Sequence, residues 1–188
     1  MKIAVLLAIA YVLGSINFSI LLFRLLGKDD PRNQFSGNAG TTNVYRQAGL
    51  FWAAVIFLLD LGRALALSGA ALFFLELDVV PWVGFALVAG NRFPCFHQFR
   101  GGKGVAGYLG FTILISPLYS GLSALVWVMA YAIVRIPFVA SLFMVATLTI
   151  GIIISCNGQL VATTGAITTA LFIIFNHRQN ILALRAGS

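Results

Sequence analysis

Acidic side chains are nearly missing from this chain of 188 residues: five Asp and Glu stand against twelve Lys and Arg. Asp29, Asp30, Asp60, Glu76 and Asp78 are too scattered for a hard-cation site or a pair of catalytic carboxylates, so no metal is expected. The two cysteines, Cys95 and Cys156, have no CxxC spacing, which excludes a cysteine-rich zinc site. No GxSxG nucleophile elbow occurs. Neither His97 nor His177 is followed five residues later by Asp, so the HxxxxD dyad of acyl-CoA-dependent chemistry is missing too. Charge of either sign makes up only 9% of the chain, against about 25% in a soluble domain. An ordinary soluble fold is excluded.

What is there is apolar: 60% of the residues are hydrophobic and the mean hydropathy is +0.98. Runs of about 17–25 apolar residues suit membrane-spanning helices. They fall near 3–26, 48–75, 81–97, 104–116, 118–134, 138–155 and 159–175. The first turns of the second run suit the interface or a re-entrant segment, and the fourth run is short enough for a half-span. Ser116-Pro117, Arg135-Ile136-Pro137 and Cys156-Asn157-Gly158 punctuate the later runs. The first run is longer than a signal-peptide core and lacks an Ala-x-Ala end, so it reads as a retained span. The expectation is an all-α integral membrane protein, one polytopic domain over 1–188 with about seven transmembrane helices, five or six being the alternative count.

Seven spans put Arg24, Lys28, Arg32, Arg46, Arg92, Arg100, Lys103, Arg135, Arg178 and Arg185 on one side. Lys2, Glu76 and Asp78 fall on the other. The positive-inside rule makes the first side cytoplasmic, with the N-terminus outside and the C-terminus inside. The net charge of +7 then reads as attraction to anionic lipid headgroups, with no nucleic-acid partner. Cys95 and Cys156 lie near opposite faces, which disfavours a disulfide.

Three polar islands interrupt the apolar background, all on the cation-rich side. The first is Ser36-Gly37-Asn38-Ala39-Gly40-Thr41-Thr42-Asn43 followed by Arg46. Its glycines permit a ligand close to the backbone, Thr42 or Asn43 suits a helix cap, and Arg46 offers a charged fork. An ordinary polar loop is the bland alternative. The second, Arg100-Gly101-Gly102-Lys103-Gly104, sets two cations among three glycines before a helix, a glycine density that favours a ligand close to the backbone, without Walker A spacing. A basic loop touching headgroups is its alternative. The third pairs His177 with Asn180 on one helix face, suiting a general base and a residue that orients the substrate or holds the imidazole tautomer, with a structural histidine near the interface as the alternative. Arg178 points elsewhere, as an interfacial anchor. Asp60 and Arg63, three apart inside an apolar run, call for mutual pairing or a polar cavity. His97, among phenylalanines, reads as interfacial.

In order and spacing these stretches resemble the bacterial acyl-phosphate:glycerol-3-phosphate acyltransferases, the PlsY family. The resemblance rests on Gly14-Ser15-Ile16, Ser36-Gly37-Asn38-x-Gly40-x-Thr42-Asn43-x-x-Arg46 and Leu59-Asp60. It continues through Phe93-Pro94-x-Phe96-x-x-Phe99-Arg100-Gly101-Gly102-Lys103-Gly104-Val105-Ala106 and His177-Arg178-x-Asn180-Ile181. It implies a seven-helix inner-membrane enzyme with a cytoplasmic active site, joining an acyl group from acyl phosphate to the sn-1 hydroxyl of glycerol 3-phosphate. The product would be lysophosphatidic acid, made without a cofactor. Residue by residue, it assigns Ser36, Lys103, His177 and Asn180 to catalysis. Arg46, Gly37, Asn38, Gly40, Asn43, Arg100, Gly101, Gly102, Gly104 and Ser141 go to substrate binding. Membrane lipid is the implied surrounding, and a monomer is compatible with it.

The chain departs from the family at several positions. Gly90-Asn91 replaces a Gly-His pair, and Arg63 and Arg100 replace lysines. Asn17 replaces proline and Phe138 a serine, and the chain reaches Gly187-Ser188 without an acidic tail. The alternatives are a transporter or flippase for a phosphorylated lipid or metabolite, and a non-catalytic paralogue.

Overall fold

The computed structural model describes residues 1–186; Gly187 and Ser188, and with them the missing acidic tail, lie outside the described residues. Among the described residues every regular element is helical. The first apolar run is broken into α1 (Lys2–Ser15) and α2 (Phe18–Leu25). Asn17 makes the break possible: its Oδ1 accepts the Ile20 N–H at 3.1 Å and caps α2, a role proline at this position has no side-chain acceptor for. Its Nδ2 donates to Ala39 O at 3.3 Å, tying the break to the first polar island.

Helix α3 (Thr41–Phe74) begins earlier than the hydropathy suggests and is interrupted at Gly49, which sits at φ 87°. Its N-cap is Gly40, with no side-chain cap, so neither Thr42 nor Asn43 caps it. Asn43 is instead buried, donating to Pro31 O at 2.7 Å and Gln34 O at 3.3 Å. Deeper along α3, Arg63 pairs with Asp60 at 2.7 Å, as expected of two charges in an apolar run. The guanidinium also donates to Leu13 O at 2.7 Å and to Ile16 O, so it closes the carbonyl end of α1 across 50 and 47 residues of sequence.

Helix α4 (Val80–Arg92) crosses α1 at backbone contact. A Cβ on Gly14 would stand 2.2 Å from Leu87 O, and one on Gly90 2.1 Å from Tyr11 O, the small-residue crossing that membranes favour. Helix α5 (Val105–Thr112) has eight residues, about 12 Å of rise, and is enclosed by α3, α4 and α7 (Pro137–Ser155). Tyr108 and Phe111 of α5 join Leu87, Leu148, Ile152 and Ile173 at the centre of the core. Helix α6 (Pro117–Val134) pairs with α7 and turns Ser120 and Ser123 inward while Leu125, Val128, Met129 and Ile133 face out. That inside-out polarity suits lipid. Helix α8 (Leu160–Asn176) bends by 50° at His177 into the short α9 (Arg178–Arg185).

Each of the seven apolar runs therefore contains helix. Among the described residues four stretches are long and apolar enough to cross a bilayer: α1 with α2, α3, α6 and α7; the bent α8–α9 pair makes five. Helices α4 and α5, at 13 and eight residues, are shorter than the roughly 20 a straight span needs. Cys95 is exposed, Cys156 is buried, and both are free thiols.

Candidate active site

The three islands meet at one end of the bundle. The first loop is stiffened from within: Asp30 Oδ1 accepts the Arg32 N–H at 2.9 Å, capping a 3-10 turn at Pro31–Asn33. Gln47 Nε2 adds a bond to Pro31 O at 3.0 Å, beside those from Asn43. From this loop Arg32 reaches the second island, donating from Nη1 to His97 O at 2.9 Å and Arg100 O at 2.7 Å. Ser15 Oγ, just before the α1 break, accepts the Cys95 N–H at 3.3 Å. His97, expected near the interface, is buried within the protein.

The glycines of the second island have a reason the sequence did not reveal. Gly101 and Gly102 donate their N–H groups to Arg92 O and Asn91 O at 3.2 and 2.9 Å, closing the end of α4. A Cβ on Gly101 would lie 2.0 Å from Asn91 O; one on Gly102 would lie 2.5 Å from Asn91 Oδ1 and 3.0 Å from Ala39 O. Gly104, at φ 85°, would strike Val88. These three glycines bring the protein's own loops together, and Lys103 is carried between them. Asn91, where the family has histidine, is thus a packing partner of the glycine loop.

The third island closes on Lys103. Its Nζ donates to Asn180 Oδ1, and Asn176 Nδ2 lies 3.5 Å from Lys103 O. His177 is buried at the α8–α9 corner with Nδ1 2.8 Å from Ile173 O. A carbonyl oxygen only accepts, so Nδ1 carries the proton and Nε2 keeps its lone pair. Burial, and secondarily the Lys103 charge, push the imidazole down to about 4, against a smaller upward pull from the Ile173 bond. His177 is therefore neutral at physiological pH. Burial, then Arg92 and Arg46, push Lys103 down to about 8. The two ion pairs among the described residues are Asp30–Arg32 and Asp60–Arg63, so Lys103, Arg46, Arg92 and Arg100 have no carboxylate partner. A cluster of cations without counter-charges is built for an anion.

Ser36 and Gly37 are exposed on the first loop, Asn38 and Gly40 are partly covered, and Arg46 is exposed on the first turns of α3. Asn38 Nδ2 lies 2.9 Å from where a Gly40 Cβ would stand, a side-chain tip that can move aside. Arg100 is exposed at the rim. Ser141 is not drawn into the cluster: its Oγ donates to Pro137 O at 3.0 Å and accepts from Trp127 Nε1 at 3.2 Å within the α6–α7 pair. Phe138 reaches the site instead, stacked on His177 at 6.3 Å and 27°. Arg178, expected as an interfacial anchor, sets its guanidinium 4.3 Å from the Phe175 ring.

Sequence reading passed over Arg32, Arg92 and Asn176 as site residues. Arg92 carried one signal, a cation directly before Phe93-Pro94, but a charge at a helix end also reads as an interfacial anchor. Its Nε is buried without a partner.

Residues 4–187 match the glycerol-3-phosphate acyltransferase family. A glycerol-3-phosphate acyltransferase of Methylobacillus flagellatus is 38% identical over 186 residues, 98% of this chain and 94% of that relative. Two crystal structures of PlsY (YgiH), an integral membrane glycerol 3-phosphate acyltransferase, superpose on the whole chain. The glycerol 3-phosphate form gives a TM-score of 0.92 at 33% identity over 94% of its length. The lysophosphatidic acid form gives 0.90 at 32% over 93%. With family match, relatives and solved structures in agreement along its length, the chain belongs to the glycerol-3-phosphate acyltransferase family.

Proposed function

We propose that this chain transfers a fatty acyl group from acyl phosphate to the sn-1 hydroxyl of glycerol 3-phosphate, releasing inorganic phosphate and lysophosphatidic acid for phospholipid synthesis. It acts as a single polytopic domain of the bacterial inner membrane, crossing seven times with the N-terminus outside. The short α4 and α5 then count as tilted or partial spans. The site faces the cytoplasm. Support comes from the names of its relatives, from the cation-rich end that holds the three islands, and from the two ligand forms of its structural neighbours.

The observation that carries the reading is Lys103, held by Asn180 and set among carboxylate-free cations beside a neutral His177. Both substrates bear phosphate, and Arg46, Arg100 and Lys103 have two anions to hold. Acyl phosphate is a mixed anhydride with a good leaving group, so the glycerol hydroxyl attacks its carbonyl carbon directly and no enzyme nucleophile is needed. The hydroxyl proton passes to His177 Nε2 as the new C–O bond forms. The tetrahedral centre then collapses with cleavage of the bond to phosphate, and the proton follows the departing phosphate. Lys103 stabilises the growing charge, with Ser36 and Asn180 aligning the reactants. Bringing two anions into the site raises the His177 pKa from its low unliganded value and makes it a better base.

The test is turnover by purified protein in detergent micelles or nanodiscs, with acyl phosphate and glycerol 3-phosphate supplied. Lysophosphatidate and phosphate should appear in equal amounts, and acyl-CoA should not replace acyl phosphate. Folded protein that gives neither product at saturating substrates would sink the proposal.

A further inference from the structure

The glycine loop that presents Lys103 contains two consecutive non-glycine residues in the left-handed region, Gln98 at φ 57° and Phe99 at φ 55°. Such backbone persists only where its surroundings over-determine it, and it collects at functional sites. The turn carries backbone bonds of its own, from Phe99 N–H to Pro94 O at 3.1 Å and from Arg100 N–H to His97 O at 3.2 Å, and one side chain braces it from outside. Arg32 Nη1 donates to the carbonyls of His97 and Arg100, the residues immediately flanking the strained pair. The other edge of the same guanidinium is committed to Asp30: Nε lies 2.9 and 3.1 Å from the two carboxylate oxygens and Nη2 2.5 Å from Oδ2. The Arg32 side chain is only 10% exposed. Asp30 is held ionised, its pKa lowered first by the Arg32 hydrogen bond. Asp30 and Arg32 belong to the loop that continues into Ser36, and the carbonyls they hold belong to the loop that continues into Lys103.

We infer that Arg32, aimed by Asp30, is a positioning residue that clamps the Gln98–Phe99 turn and so fixes Lys103 against the loop bearing Ser36. It touches no substrate. A single planar fork serves the carboxylate with one edge and two carbonyls with the other, which an ammonium group does not reproduce. This inference rests on the acyl-transfer reading of the site, but it has a readout that does not.

The experiment compares wild type with Arg32→Gln, Arg32→Lys and Asp30→Asn in nanodiscs, measuring kcat, KM for each phosphate substrate, thermal midpoint and amide hydrogen exchange. In Arg32→Gln, exchange should rise across 97–103 while α6 and α7 stay protected. Activity per folded molecule should fall by about 10² through loss of alignment. Arg32→Lys and Asp30→Asn, which keep part of the clamp, should fall between. Gln98→Gly, which removes the left-handed penalty, should shrink the effect of Arg32→Gln. Unchanged exchange at 97–103 in Arg32→Gln, or kinetics that track only the folded fraction, overturns the clamp. An inactive wild type overturns the proposed reaction instead and leaves the exchange result to judge the clamp.

Discussion

Lys103 Nζ donates to Asn180 Oδ1 across 77 residues of sequence, joining the glycine loop to the helix corner that holds His177. Lys103 thus bridges two of the three islands, and burial with Arg92 and Arg46 lowers it to about 8. As a phosphate-holding cation it acts only when protonated, so kcat/KM should fall as pH rises through about 8. Bound phosphate favours the cation, so the same limb in kcat should lie at higher pH. Stability moves the other way. The folded pKa lies below the ordinary 10.5, so the unfolded chain holds more protons between about 8 and 10.5, and this group's contribution to stability rises across that window. Activity lost above pH 8 without a falling thermal midpoint is the expected signature; a joint fall would assign the loss to unfolding.

His177 supplies the acid side. Its neutral form is needed at Nε2, and its pKa of about 4 keeps that form present through the physiological range. Because that value lies below 6.5, its contribution to stability is complete above 6.5 and is lost as pH falls towards 4. His177→Ala should lower kcat by about 10²–10⁴ in protein that still folds. Phe138 covers the imidazole, so Phe138→Ser should admit water and move the acid limb of kcat/KM upward, towards the ordinary histidine value. An acid limb that does not move in Phe138→Ser would show that the ring does not set the histidine's environment.

The islands were legible because each is polar punctuation in a chain whose background is membrane solvent, and the apolar runs located their helices to within several residues. What escaped depended on distant partners. The run over 3–26 carries one local sign of its break, the polar Asn17 that caps α2, but the carbonyls freed there are taken by Arg63, far along the chain. The first turns of α3 and all of α9 are too polar for a hydropathy reading, and only the capping pattern before Arg46 and the His177–Asn180 spacing pointed to helix there. The glycine density at 101–104 suggested room for a ligand, whereas the close neighbours are Asn91, Ala39 and Val88 of the protein itself. Ser141 and Phe138 traded places for a similar reason: one turn of α7 decides which faces Trp127 and which faces His177.

That revised role of the glycines separates two substitutions that composition treats as equal. Gly101→Ala drives a methyl group to within 2.0 Å of the Asn91 carbonyl, which belongs to the backbone of α4 and has little freedom to move. Gly102→Ala instead meets the tip of the Asn91 side chain at 2.5 Å. Both should destabilise by about 1–3 kcal/mol, Gly101→Ala by more. Asn91→Ala should largely rescue Gly102→Ala and do nothing for Gly101→Ala. Thermal unfolding of the two double variants in detergent checks this; equal rescue of both would refute the packing account.

Asp60 and Arg63 allow a test of what holds the first span in its broken form. Their side chains are 13% and 6% exposed, so each leaves the other as an uncompensated buried charge when removed. Asp60→Leu and Arg63→Met should each cost about 3–5 kcal/mol on that ground. The double variant leaves no charge behind and should lose much less than the sum. It should not return to wild-type stability, because Ile16 O loses its donor and Leu13 O keeps only the Ile16 N–H, at about 1–3 kcal/mol for a buried acceptor left unpaired. Arg63→Met should therefore be the worse of the two single changes, since it removes both the ion-pair partner and the cap. Denaturant unfolding of all three variants in detergent measures the ordering. Simple additivity would mean that the two charges do not stabilise one another, and a double variant as stable as wild type would mean that the break at Ile16–Asn17 needs no donor from α3.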